Sequence, residues 1–153
     1  MKKDIKDYLH FYLGSWVLIE KSNYYFVHEL NLHQGETFLL SGFYLGAISD
    51  HGNGLVIKLK LRPLPSMTEQ EAVEMASLTE WEPHFRDVKV ERNKITNDII
   101  VTWDGANESR DMVNATGDLF WCYEQFMWFL KKEFDIFELI EEGLAIDKTK
   151  ISV

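Results

Sequence analysis

Residues 117–143 read GDLFWCYEQFMWFLKKEFDIFELIEEG, the densest run of aromatic and aliphatic side chains in the chain. On a wheel of about 100° per residue, Leu119, Tyr123, Phe126, Met127, Leu130, Phe134 and Phe137 fall on one broad stripe, the repeat of a helix that buries one face. Trp121 and Trp128 lie one heptad apart on the other side. The helix is therefore either covered on both sides or carries two indoles toward a partner. A bend near residues 131–135 splits the run, with Asp135 capping a second helix over residues 136–142 and Gly143 ending it. Leu144-Ala-Ile-Asp147 is apolar enough to dock.

Outward from that run, 153 residues with 46% hydrophobic content are enough for one domain, residues 1–153, around one core. The formal charge of −9 repels a phosphate backbone, so direct nucleic-acid binding is not expected. The opposite use of acidity, imitating nucleic acid to occupy a basic partner, stays open. Cys122 is the single cysteine and lies in the apolar run, which rules out an intrachain disulfide and predicts a buried, inert thiol. No signal peptide follows the opening lysines and no stretch of 18 apolar residues occurs, so the expectation is a soluble cytoplasmic protein without a membrane segment. The sequons at Asn107 and Asn114 carry no meaning without export.

Residues 4–13 read as a short amphipathic helix with Ile5, Tyr8, Leu9 and Tyr12 on one side, Asp4 as cap and Gly14 as stop. Residues 16–20 and 24–32 predict a hairpin whose second strand makes His28 a core histidine. Residues 37–40 and 43–48 are two more short strands, followed by a hairpin turn at Asn53-Gly54. Residues 55–61 alternate cleanly, with Leu55, Ile57, Leu59 and Leu61 inward. Ser66-Met-Thr-Glu69 offers a capping box for a helix to about residue 78, and Glu69, Glu71, Glu74 and Glu80 make its outer face acidic. That face reads as solvated surface, with partner docking or DNA mimicry as the other use. Trp81-Glu-Pro83 is a turn. Residues 85–92, with Val88 and Val90 inward, and 99–103 form a further hairpin, and Asp104-Gly105 a turn. The fold class is α+β, an antiparallel sheet of five to seven strands covered on one face by N-terminal, middle and C-terminal helices.

Lys60-Leu-Arg-Pro-Leu-Pro-Ser-Met-Thr-Glu-Gln-Glu71 and Phe134-Asp-Ile-Phe-Glu-Leu-Ile-Glu-Glu-Gly-Leu-Ala-Ile-Asp147, with Asp7-Tyr-Leu-His-Phe-Tyr-Leu-Gly14, resemble a group of short uncharacterised proteins of gut Bacteroidetes and their phages or prophages. These blocks cover about a quarter of the chain, and the region from 83 to 116 departs from the group. The resemblance implies a setting, a bacterial cytoplasm and a mobile element, and no mechanism.

Nucleotide, metalloprotease, hydrolase and kinase motifs are absent from the sequence. The five histidines, His10, His28, His33, His51 and His84, lack ligand spacing, so no metal or other cofactor is expected. Two kinds of binding site can be drawn. Trp121 and Trp128 have the character of interface anchors, which favours a non-enzymatic module that binds another protein, with self-association a further option. Trp103, Asp104 and Arg110, with His51 as an outlying contributor, could instead hold a nucleotide or other small anion, an aromatic to stack and an arginine to pair. A metal-assisted hydrolase would rest on Asp50 and His51 alone.

Overall fold

The alternation at residues 55–61 becomes a strand because every second side chain is apolar and can turn to a common core. In the computed structural model it spans Val56–Leu61 (β3), with Ile57, Leu59 and Leu61 buried and Lys58 and Lys60 half-buried. The structure describes residues 2–22, 28, 30–51, 54–78, 88–92, 94–95, 99–103, 108–111 and 123–151. It is an α+β protein that divides into two compact units, residues 1–62 with 137–153 and residues 63–136.

In the first unit, Trp16–Lys21 (β1) pairs antiparallel with Thr37–Leu39 (β2) on one side and with β3 on the other. Ala145–Asp147 (here β7, the last strand) joins β3 in parallel, giving a four-stranded sheet in the order β2-β1-β3-β7. Val17, Ile19, Phe38, Ile57 and Leu59 supply its buried face. The N-terminal segment is amphipathic as expected, but it winds as two 3-10 turns, Ile5–Asp7 and Leu9–Tyr12, rather than as one helix. Asp4 Oδ1 accepts the Lys6 N–H at 3.0 Å, and Gly14 ends the segment with a φ of 92°, which favours glycine. Phe137 receives the rings of Tyr8 and Phe11, each at 5.1 Å, and Lys3 Nζ donates to its carbonyl at 2.8 Å. These contacts anchor residues 137–144, which form successive turns with Glu138 at φ 60° instead of the expected second helix. The 144–147 segment does dock, as β7.

Two further readings in this unit are corrected. Residues 43–48 are helical, part of Gly42–His51 (α1), which Ser41 opens by accepting the Tyr44 and Leu45 N–H groups on its hydroxyl and carbonyl. A short run of aromatic and apolar residues satisfies either period, and the serine cap decides it. Asp50 and His51 consequently close a helix and do not sit in a hairpin loop, while Gly52 and Asn53 lie outside the described residues. His28 is exposed, and it and Leu30 are helical, so the reading of a core histidine on a strand fails at that position.

In the second unit, Val88–Arg92 (β4), Ile99–Trp103 (β5) and Glu108–Asp111 (β6) form an antiparallel three-stranded sheet. The strands are thus shared between sheets of four and three, and β3–β7 is parallel where an antiparallel sheet was expected. Glu69–Ala76 (α2) packs on β4 and β5 and touches Tyr123–Lys131 (α3). The capping box of α2 is set two residues later than expected. Thr68 Oγ1 accepts the Glu71 N–H (3.1 Å) and Glu71 Oε2 accepts the Thr68 N–H (3.0 Å). Ser66 is already committed to the 3-10 turn Leu64–Ser66, where its N–H meets Pro63 O. The acidic outer side of α2 is tied to its own unit, Glu69 to Arg92 (3.4 Å) and Glu74 to Lys132 (3.2 Å).

Candidate functional site

The predicted anchor Trp128 belongs to the interior. Its residue is 7% exposed, its ring stacks on Phe134 (5.8 Å, 22°) and meets Phe129 edge-on (5.3 Å, 89°). Lys132 Nζ lies 5.6 Å from its ring centroid. The buried side of α3 is Gln125, Trp128, Phe129 and Leu130, whereas Tyr123 and Met127 of the expected stripe are exposed at 68% and 43%. The helix is therefore rotated relative to its reading. Five consecutive apolar residues, 126–130, satisfy several faces at once, so periodicity could not fix the rotation. Trp121, Leu119 and Cys122 lie outside the described residues, as do Trp81, Glu80, His84 and the two sequon asparagines.

Of the anion-binding trio, Trp103 and Arg110 stand on neighbouring strands, Trp103 opposite Glu108 and Arg110 opposite Val101. Those are diagonal register positions; Asp104 is outside the described residues. His10 and His33 are exposed like His28, and among the described residues no three His, Cys, Asp or Glu side chains gather as a metal site would require.

A different surface is assembled where β1 meets β2. Trp16 and Leu39 are register partners and are 50% and 47% exposed. Leu40 N–H donates to Ser15 O and Ile19 N–H to Glu36 O, both at 2.9 Å, which fixes the pattern of the ladder. Residues 36, 38 and 40 turn their peptide groups toward β1. Trp16 and Leu39 thus form a non-hydrogen-bonded pair, the kind whose side chains stand closest, and the N–H and C=O groups of Thr37 and Leu39 point away from the sheet. On the other face of β2, Phe38 is buried against Tyr44 (4.7 Å), which in turn meets Phe43 (5.6 Å), and Phe43 is 70% exposed. Apolar side chains consequently flank this edge above and below.

The opposite edge of the same sheet is built in the contrary way. Asp147 closes β7 by accepting from Thr149 N–H (2.9 Å) and Oγ1 (2.6 Å) and pairing with Lys150 (3.4 Å). Burial pushes the Asp147 carboxyl up, but the bonds from Thr149 and Lys150 outweigh it and hold the carboxyl below its ordinary value of 3.8. Lys148 beside it is lowered, by burial first and then by the charge of Arg62. Charged residues at a strand edge discourage pairing with another chain, and β7 has them in sequence. Beside β2, Trp16 and Leu39 take their place.

The sequence carried one sign of this surface. In β1, Val17 and Ile19 alternate with Trp16, Leu18 and Glu20, so the indole shares a face with a carboxylate and not with the core. Leu39 carried none, because its exposure depends on pairing with Trp16, 23 residues earlier in the chain. A comparison with protein families, with curated proteins and with solved structures finds no match to the chain.

Proposed function

We propose that this chain is a non-enzymatic protein-binding module that takes an extended segment of a basic protein onto the outer edge of β2, which pairs with no further strand among the described residues. The observation that carries the reading is the exposed Trp16–Leu39 pair beside outward-pointing peptide groups. Strand addition draws its affinity from main-chain hydrogen bonds and its selectivity from alternate side chains, and this edge has apolar contacts for both sides of an incoming strand. The net charge of −9 favours a partner of positive sign.

Magnitudes bound the affinity. Covering the exposed halves of one tryptophan and one leucine removes on the order of 200 Å² from water, gross about 5 kcal/mol at about 25 cal/mol per Å². Association itself costs about 4 kcal/mol or more, so a lasting complex needs the main-chain bonds and the charge as well. The module reading also takes the helices as covers for one sheet face in each unit. The resemblance to proteins of Bacteroidetes and their phages supports a role in a bacterial cytoplasm, within a mobile element.

A synthetic peptide of alternating valine and lysine is the direct probe. It is expected to bind the wild-type chain and to lose at least tenfold in affinity against Trp16→Lys and Leu39→Lys, with both variants as stable as the parent. The same peptide N-methylated on alternate residues should not bind. Equal binding of the methylated peptide, or of a valine–glutamate peptide, would overturn the proposal. Concentration-dependent self-association that these substitutions abolish would identify a second copy as the occupant and overturn it too.

A further inference from the structure

The two ends of the β2 edge are unlike. At its start, Gly35 N–H donates to Ile19 O (2.8 Å) while Ile19 N–H donates to Glu36 O (2.9 Å), so two residues of one strand oppose one of the other. That is a bulge, and Gly35 can make it because its φ is 90°, a conformation open to glycine. Past the bulge, strand alternation puts Glu36 on the side of Phe38 and not on that of Leu39. Its carboxylate is exposed, is steadied by the His33 N–H (3.1 Å), and forms no ion pair among the described residues. Glu20, on the face of Trp16, is by contrast paired with Lys58 (3.3 Å).

At the far end of β2 the chain turns through Ser41 into α1. Phe43 follows that cap, is 70% exposed, and is joined through Tyr44 to Phe38. On the Phe38 side of the edge an acid therefore marks one end and an aromatic ring the other. The ends are about four residues apart, which is about 13 Å at about 3.4 Å per residue. Trp16 and Leu39 stand toward the aromatic end on the opposite face. Such an edge distinguishes a segment that is apolar first and basic last from one that runs the other way.

Resting on the docking role proposed above, we infer that the edge reads its partner in one direction. The segment lies antiparallel to β2, enters with two adjacent apolar residues, and carries a lysine or arginine three positions after the second. The first apolar side chain meets Phe43, the second meets Trp16 and Leu39, and the cation meets Glu36. Neighbouring residues of a strand point to opposite faces, as this edge requires, and the antiparallel ladder is the slightly more stable one. The probe is a capped peptide, Thr-Leu-Val-Thr-Thr-Lys-Thr, titrated into the isotopically labelled full chain and followed by NMR. Its reverse and a version with glutamine for lysine are the controls. The forward peptide is expected to bind at least fivefold tighter than the reverse. Glu36→Gln, which can still accept the His33 N–H, should weaken it about threefold and erase the preference for lysine over glutamine. Phe43→Ala should weaken it about fivefold. A spin label on the peptide N-terminus should broaden the signals of Ser41 and Phe43, and one on its C-terminus those of His33 and Glu36; the opposite pattern would overturn the inference. Equal binding of forward and reverse peptides, both weakened by Trp16→Lys, would overturn the direction and leave the docking edge standing. Binding of neither would also overturn the inference, and the docking edge falls with it only if the valine–lysine peptide is silent too.

Discussion

Replacing Trp128 separates a core indole from a docking indole. The side chain is held between Phe129 and Phe134 and covered by Lys132, with 7% of the residue exposed. Truncation to alanine removes the packing of a whole indole and leaves a hole that neighbours fill only in part, at a cost of about 3–5 kcal/mol. For a chain of this size each kcal/mol moves the melting point by about 2–4 °C, so Trp128→Ala should melt roughly 10 °C lower. Trp128→Phe tests the same environment from another side. The indole Nε1 is buried with no hydrogen-bond partner among the described residues, and an unsatisfied donor of that kind costs about 1–3 kcal/mol. Phenylalanine gives up volume but also removes that donor, and the two effects oppose each other, leaving a net loss of about 1 kcal/mol or less. Urea unfolding followed by circular dichroism measures both variants. An alanine variant that loses less than about 1 kcal/mol would refute the core assignment and return this indole to the surface.

Arg92 and Asp147 give two further expectations. The Arg92 guanidinium donates to the carbonyls of Pro65 and Met67 and pairs with Glu69, so Arg92→Lys, which keeps the charge but loses the fork, should cost about 1–3 kcal/mol in the same urea assay; an unchanged midpoint would mean that charge alone suffices. Asp147→Asn keeps a capping oxygen and removes the charge, and should be less stable than the parent by up to about 1 kcal/mol at neutral pH. Because the folded-state carboxyl of Asp147 is lowered from 3.8, its contribution is present above that value and lost as pH falls through the lower folded value. The stability gap between Asp147→Asn and the parent should therefore close below about pH 3.8, and a gap that widens there would contradict the assignment.

Local patterns were readable wherever one competing element was absent. Residues 57–61 alternate apolar with lysine and read as a half-buried strand, and the hairpin expected from residues 85–92 and 99–103 is found in the antiparallel pairing of β4 with β5. Residues 66–71 hold two overlapping capping boxes, and only the 3-10 turn ahead of them selects Thr68. The α3 run is apolar nearly all round, which hides the buried side. Residues 136–142 have helical composition, but Glu133 and Glu138 adopt left-handed backbone, at φ of 61° and 60°. The first closes α3 through the Phe134 N–H to Phe129 O bond at 3.0 Å, and the segment beyond is held by Phe137 against Tyr8 and Phe11, contacts more than 120 residues apart. The parallel pairing of β7 with β3 is likewise non-local, and no short window announces it.

Site residues were harder for the same reason. Aromatic density singles out Trp128, but density marks a core as readily as an interface. The Trp16–Leu39 surface depends on register between distant segments and on β2 standing at the end of the strand order, which only the assembled sheet reveals.

Amide hydrogen exchange at three consecutive residues tests the docking edge most directly. In the chain alone, Thr37 and Leu39 should exchange fast while Phe38, whose N–H faces β1, is protected, and adding the valine–lysine peptide should slow Thr37 and Leu39 together. Strong protection of Thr37 and Leu39 in the chain alone, or exchange there that the bound peptide leaves untouched, would contradict the account.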